Sequence, residues 1–140
     1  MKNRKRGFSL VELLIVLAVI AALIATITPV ALNAIRKAKA TQVAQNLKTL
    51  ASAIENKAYV EGATAIGIAT STTAISNLTT YARDVSDKYK AEYIHSAGTF
   101  TVTVTYEGKD VDAKIVNEIL KEATGTTGDN ITYTFSFNVY

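Results

Sequence analysis

Apolar and polar residues divide the chain into a long apolar segment and a longer region of mixed composition. Residues from Leu13 to Ile35 include no charged side chain. As a helix that rises about 1.5 Å per residue, this segment would extend roughly 35 Å, enough to cross a bilayer core of about 30 Å. The pattern therefore predicts a helix that is apolar on all sides and able to span a membrane.

The helix is expected to continue beyond the apolar segment. Residues 36–60 contain neither Gly nor Pro, and apolar residues recur there at spacings typical of one face of an amphipathic helix. These residues are Val43, Leu47, Leu50 and Ile54. Since Gly62 is the expected stop, we predict one helix of about fifty residues that begins near Phe8.

Two segments in the second half of the chain alternate strictly between apolar and polar residues. The predicted inward residues are Phe100, Val102, Val104 and Tyr106 in the first, and Ile131, Tyr133, Phe135, Phe137 and Val139 in the second. Period-two alternation is typical of an antiparallel sheet with one buried face. A third strand is predicted at Ala91–Ala97.

Two short helices complete the predicted elements. One is expected at Val111–Ala123, with Ile115, Ile119 and Leu120 as its apolar stripe. The other is expected at Thr73–Ala82, within a segment that otherwise indicates a loop. Together the elements predict an α+β fold, in which the amphipathic half of a long N-terminal helix packs against a small antiparallel sheet.

The start of the apolar segment resembles a known N-terminal motif. A basic leader, residues 1–7, ends in Gly7, and the aromatic Phe8 follows directly. Glu12 comes four residues later, and Pro29, the single proline of the chain, lies within the apolar helix. From Lys5 to Ala40 the sequence is similar to the type IV pilin family, which includes the pseudopilins of type II secretion.

This resemblance implies a processing and assembly route. A prepilin peptidase would cut between Gly7 and Phe8 and methylate the new Phe8 amine. The apolar helix would then pack in the centre of a helical filament, where Glu12 would meet the Phe8 amine of a neighbouring subunit. The resemblance also divides the chain into three parts. These are a leader at 1–7, a transmembrane or filament-core helix at 8–35, and a globular head at 36–140 that includes the second half of the helix.

Glu12 and Pro29 also have physical interpretations of their own. An unpaired acid is costly in an apolar medium, so Glu12 either sets subunit register through a buried pair or lies at headgroup level near the leader lysines. Pro29 is expected to kink the helix. Thr26 and Thr28 are expected to bond the carbonyls that it frees. The resemblance implies a flexible or locally unwound stretch between about Ala21 and Pro29, which would let the filament bend and extend.

The favoured function is that of a structural subunit of a type IV pilus-like surface filament. Its expected partners are copies of itself, prepilin peptidase, the cytoplasmic membrane and the assembly machinery. The leader's basic residues are expected to keep the N-terminus in the cytoplasm, which predicts a single-pass protein of the cytoplasmic membrane. The resemblance implies that the subunit lies at the cell surface after assembly. Alternatives are a pseudopilin of a type II secretion or DNA-uptake system and a non-polymerising, signal-anchored surface domain. An ordinary secretory signal fits less well, because its apolar region is shorter and lacks an early acid.

Charge and composition favour a structural role over an enzyme. The net charge is +3, but four of the 15 basic residues lie in the leader, which leaves 11 basic against 12 acidic side chains in a mature chain. The alkaline pI therefore indicates no nucleic-acid site. Cysteine is absent and His95 is the single histidine, so we expect no catalytic residue, metal or cofactor.

Two weaker patterns leave alternatives open. Glu107, Asp110 and Asp112 fit either part of a calcium loop or a solvated turn, and the spacing matches no EF-hand and favours the turn. Asn77 and Asn130 each begin a glycosylation sequon, but so short a pattern occurs often by chance.

Overall fold

The computed structural model describes residues 9–61, 73–74, 78, 82–83, 85–126 and 128–139. Its elements are helix α1 (Leu10–Glu61), strands β1 (Thr73–Ala74), β2 (Tyr89–Ser96) and β3 (Thr99–Tyr106), helix α2 (Ala113–Ile119), and strands β4 (Ala123–Thr124) and β5 (Ile131–Asn138). The chain divides into two units at the peptide bond between Ile35 and Arg36. The gaps leave Gly7 and Phe8 outside the described residues.

Helix α1 confirms the prediction of one long helix. It has 52 residues and ends at Glu61, directly before the predicted stop at Gly62. Pro29 lies inside it, and the residues on either side keep helical geometry. No unwound stretch is present between Ala21 and Pro29.

The second half of α1 forms one wall of the core of the second unit. The predicted stripe is buried, with Leu47, Leu50 and Ile54 at 0% exposure and Val43 at 4%. Small residues on the same face are buried as well, namely Ala40, Ala44, Ala51 and Ala58. Their size lets the helix approach the elements that pack on it.

The opposite wall is a five-stranded antiparallel sheet in the order β1-β2-β3-β5-β4. Strand β3 lies at its centre and pairs along its whole length with β2 and with β5. Phe100, Val102, Val104 and Tyr106 all face the core and are buried, which confirms the predicted face of β3. In β5, Ile131 and Phe137 are buried while Tyr133 and Phe135 are half-buried against the same core. The sheet and the α1 stripe share one hydrophobic core, so the predicted α+β class is confirmed.

The outer face of the sheet is rich in hydroxyls on β3 and β5, and on β2 it carries the charged Lys90 and Glu92. Thr101 and Ser136 are joined at 3.0 Å, and so are Thr103 and Thr134, in each case across β3 and β5. These cross-strand pairs satisfy the hydroxyls and add to the strand pairing. Beyond β5, the backbone N–H of Val139 donates to the Gly98 carbonyl at 3.1 Å, which ties the end of the chain to the sheet without a disulfide.

Two predicted helices need correction. Thr73–Ala74, at the start of the helix expected over 73–82, forms strand β1, whose backbone pairs with Tyr93 and Glu92 of β2. Helix α2 is shorter than the predicted 111–123 because Asp112 caps its first turn and it ends after Ile119. Ala113 and Val116 of the helix are buried, and so is the adjoining Leu120. Ile119, which was predicted to face inward, is 43% exposed. Of the predicted stripe, Leu120 is buried and Ile115 is partly buried against the core, so the prediction is wrong only for Ile119.

Candidate functional site

Helix α1 begins with a capping arrangement at Ser9 and Glu12. The backbone N–H of Glu12 donates to Ser9 Oγ at 3.2 Å, and that of Leu13 donates to the Ser9 carbonyl at 3.1 Å. A Ser followed three residues later by Glu is the pattern of a capping box. The Glu12 carboxylate also lies in the first turn, where the helix dipole favours negative charge. The observed bond uses the backbone N–H of Glu12, so its side chain contributes to the start of the helix through its charge in the first turn. The prediction for this residue did not include that role, although the S-x-x-E pattern signals it.

The helix then presents apolar side chains in every direction. From Leu10 to Ile35 each side chain is exposed, and the large apolar ones range from 46% exposure at Ile20 to 75% at Leu10. A continuous apolar surface of this extent requires lipid or protein around it. By length and composition, α1 is able to cross a membrane. The same surface is suited to a bilayer and to the interior of a bundle of identical helices.

Pro29 removes one backbone donor from this helix. Since Pro has no N–H, the carbonyl four residues earlier, that of Ala25, loses its usual helical partner. The predicted compensation is wrong in detail. Thr26 Oγ1 donates to the Leu23 carbonyl at 2.9 Å and Thr28 Oγ1 to the Ile24 carbonyl at 2.7 Å, so neither hydroxyl reaches Ala25. A mechanical role for Pro29 stays a prediction.

Gly7 and Phe8, the predicted cleavage junction and methylation site, lie outside the described residues. The structure thus brings Ser9 and Glu12 together and leaves the pairing of Glu12 with a Phe8 amine as a prediction.

The first glycosylation sequon, at Asn77, also begins outside the described residues. In the second, Asn130 is exposed directly before β5, and Thr132 Oγ1 is hydrogen-bonded to Thr124 Oγ1 at 2.7 Å.

Two of the three acids considered for a calcium loop are engaged locally. Glu107 pairs with Lys90 at 2.8 Å. Asp112 caps α2, where its Oδ1 accepts from the Lys114 backbone N–H at 2.9 Å. The two carboxylates therefore bind different partners and do not converge on one cation. Among the described residues no group of three or more His, Asp and Glu side chains could hold a metal ion.

Asp110, the third acid, belongs to a hydrogen-bonded cluster at the end of β3. The Tyr106 hydroxyl donates to Asp110 Oδ1 at 2.7 Å, and Lys88 Nζ lies 3.7 Å from Oδ2. The hydrogen bond from Tyr106 is the main cause that lowers the pKa of Asp110. Burial, reinforced by the nearby carboxylate, strongly raises the pKa of Tyr106.

His95 is a packed residue of β2. Its ring centroid lies 4.4 Å from that of Phe100, and its side chain is half-buried. This contact gives His95 a packing role in the sheet.

Comparison with known proteins identifies the N-terminal motif. Residues 2–28 match the family model for the prokaryotic N-terminal methylation motif, the prepilin-type signature of type IV pilins and pseudopilins. The match includes Gly7, Phe8 and Glu12, and it confirms the resemblance over this part of the chain. No similar curated protein and no similar solved structure was found. The chain therefore has the N-terminal signature of a type IV pilin-like or pseudopilin precursor, and its apolar helix is consistent with a membrane anchor.

Proposed function

We propose that the chain is the precursor of a structural subunit of a type IV pilus-like surface filament. The observation that carries this proposal is the methylation motif at residues 2–28, joined directly to a helix with apolar side chains exposed on all sides. In this proposal prepilin peptidase cuts between Gly7 and Phe8 and methylates the Phe8 amine. The cut removes the basic leader that would hold the N-terminus at the cytoplasmic face.

The apolar helix would serve first as a membrane anchor and then as the filament core. Both environments remove apolar surface from water, which stabilises by about 25 cal/mol per Å². Transfer from lipid to a bundle of helices exchanges one apolar environment for another. Directional interactions must therefore decide where each subunit stops in the filament.

Glu12 is the proposed source of that register. In the filament core its carboxylate would pair with the Phe8 amine of a neighbouring subunit. A subunit at the wrong height would leave a buried charge unpaired, at a cost of roughly 3–5 kcal/mol. The proposed partners are thus copies of the same chain, the peptidase, the cytoplasmic membrane and an assembly machinery. The role is structural, and no catalytic residue is proposed.

The test is the N-terminal composition of filaments purified from the native cell. We expect an intact mass that corresponds to residues 8–140 plus one methyl group. Assembled filaments that retain the leader would contradict the proposal. A pseudopilin would undergo the same processing, so imaging is needed too, and long surface filaments favour the pilus. Sedimentation after detergent treatment of membranes distinguishes the pilus subunit and the pseudopilin from a signal-anchored domain. The first two would sediment as filaments, whereas the anchored domain would stay unassembled.

A further inference from the structure

A small cavity opens within the second unit between helix α1 and the adjoining ends of β2 and β3. Its volume is about 250 Å³. Pockets for drug-sized ligands span roughly 300–1,000 Å³, so this cavity fits a small group or the end of a larger molecule. Val43 and Val111 contribute apolar wall, while polar side chains from all three elements complete the lining.

Two tyrosines make one wall rigid. The rings of Tyr89 and Tyr106 lie with centroids 4.9 Å apart. Asn46 Nδ2 donates to the Tyr89 hydroxyl at 3.1 Å, and the Tyr106 hydroxyl donates to Asp110. The Tyr106 hydroxyl therefore uses its proton in the bond to Asp110, whereas the Tyr89 hydroxyl accepts from Asn46 and keeps its own proton as a donor that a ligand could use.

The remaining polar lining includes two cations and one anion. Lys39 and Lys88 both line the cavity with Asp110, which gives these three groups a net charge of +1. Asp110 Oδ1 is occupied by Tyr106, and Lys88 reaches Oδ2 only at 3.7 Å. Within the described part of the chain, Lys39 forms no ion pair at contact distance, and its charge interacts with Asp110 only at longer range. Two ammonium groups therefore retain donors for an additional anion with several acceptor oxygens.

The sequence position of the cavity indicates where that anion comes from. Lys39 follows Ile35, the last residue of the uncharged segment, by four residues, or about 6 Å of helix rise. Arg36 and Lys37 lie between them. Basic residues directly beyond a membrane span meet the phosphates of the lipid headgroups.

We propose that this cavity binds the phosphodiester group of a phospholipid headgroup, held between Lys39 and Lys88. A phosphodiester is a monoanion, so it complements the net charge of +1. Gln42 and Ser86, which also line the cavity, offer donors for hydroxyls of the headgroup. The proposal rests on the membrane anchorage in the proposed function, which supplies the lipid, and it is independent of filament assembly.

The experiment uses the full chain in detergent micelles, titrated with dihexanoyl-phosphatidylglycerol. Backbone amide shifts of Lys88 and Asp110 report binding. We expect Lys39→Ala and Lys88→Ala each to raise Kd by about tenfold, because each removes a charge-assisted contact. Lys48→Ala is the matched control, since Lys48 is an exposed lysine of α1 outside the cavity, and its Kd should stay within about twofold of wild type. Equal Kd values in all four proteins would overturn the proposal.

A second titration distinguishes the source of the phosphate. Glycerol 3-phosphate presents the phosphate without acyl chains, and we expect it to bind more weakly than the lipid. Equal or tighter binding of glycerol 3-phosphate would assign the cavity to a soluble phosphate and overturn the lipid assignment. Loss of filaments in Lys39→Ala with unchanged lipid binding would likewise overturn it, in favour of a carboxylate from another subunit. Native filaments that retain the leader would contradict the proposed function and leave the lipid titration unaffected.

Discussion

Tyr106 and Tyr89 make the globular head sensitive to alkaline pH. Burial raises the pKa of both phenols in the folded protein, and Asp110 raises that of Tyr106 further. The unfolded chain ionises near the ordinary tyrosine pKa of about 10, so it releases protons before the folded state does. The stabilisation is thus fully present below about pH 10 and is lost as pH rises through the folded pKa values.

We predict that Tyr106→Phe makes stability less dependent on alkaline pH. Near pH 7 it should lower the free energy of unfolding by about 1 kcal/mol, a modest loss because Asp110 is half-exposed and water can replace the hydroxyl. Urea unfolding of residues 36–140 near pH 7 and near pH 11 measures both effects. Lys109→Ala, at the exposed neighbour of Asp110, should leave both values unchanged. An unaltered pH dependence in Tyr106→Phe would contradict the assignment.

The turn between β2 and β3 contains a strained alanine. Ser96 pairs with Thr99, which leaves Ala97 and Gly98 as a two-residue loop. Their φ angles are 50° and 81°, as in a type I′ turn. This geometry suits Gly98, whereas an alanine in the left-handed region costs roughly 1–2 kcal/mol.

We therefore predict that Ala97→Asn stabilises the head. Asn tolerates the left-handed conformation and precedes Gly in the favoured type I′ pair, so the gain should be about 0.5–1 kcal/mol. Ala97→Val should destabilise, since a β-branched side chain is poorly tolerated at positive φ. Thermal unfolding of the two variants tests this reversal of sign. Stabilisation by Val would show that the turn has another conformation.

At the scale of elements, α1 joins two different surfaces in one continuous helix. Up to Ile35 its side chains are exposed and mostly apolar, and from Ala40 onward one face is buried. The buried face consists of a leucine- and isoleucine-containing stripe with alanines beside it. Helix formation in the second half is thus coupled to packing on the sheet, since most helical stability in proteins comes from such contacts.

We predict that Leu50→Ala lowers the free energy of unfolding of residues 36–140 by roughly 2–5 kcal/mol. Leu50 is fully buried, so truncation leaves a cavity between helix and sheet. Thr49→Ala, at an exposed neighbouring position of the same helix, is the control and should change stability by less than about 0.5 kcal/mol. Urea denaturation compares the variants. If Leu50→Ala lowered the free energy of unfolding by no more than the control does, this stripe would not face the sheet.

Periodicity predicted the long elements and failed for the short ones. Strands β2, β3 and β5 are each eight residues long, so alternation has room to show. Strands β1 and β4 have two residues each, too few for any period, and they form only because β2 and β5 offer edges for pairing. In α2, several neighbouring residues are apolar, so the packing of the whole head decided that Val116 is buried and Ile119 is not.

At the scale of the whole molecule, the two candidate sites differ in how far sequence reveals them. The methylation motif is continuous, and its leader, junction and apolar helix follow one another within residues 2–28. The cavity brings together Lys39, Lys88 and Asp110, which are distant in sequence and meet through helix–sheet packing. Nothing in their spacing indicates a site, so the fold was needed to find it.

Assembly of the whole chain provides the last prediction, which concerns Glu12. Glu12→Gln keeps a side chain that can accept a hydrogen bond in the capping box, because an amide replaces the carboxylate, and it removes the charge. Glu12→Ala removes both. If the charge sets subunit register, each variant should insert into the membrane and be cleaved after Gly7, because neither change makes the span more polar or alters the junction. Both should then fail to polymerise, since the Phe8 amine would be left unpaired in the core at roughly 3–5 kcal/mol per subunit.

The measurement compares sheared filaments with processed subunit in the membrane fraction, using Ser9→Ala as the control for helix capping. Ser9→Ala removes the Oγ that accepts from the Glu12 N–H and keeps the carboxylate, so it should weaken the first turn by about 1 kcal/mol and still give filaments. The expected pattern is filaments in wild type and Ser9→Ala, with membrane-bound processed monomer in Glu12→Gln and Glu12→Ala. Filament loss in Ser9→Ala and Glu12→Ala, with wild-type yield in Glu12→Gln, would assign Glu12 to helix capping and remove the argument that its charge sets register.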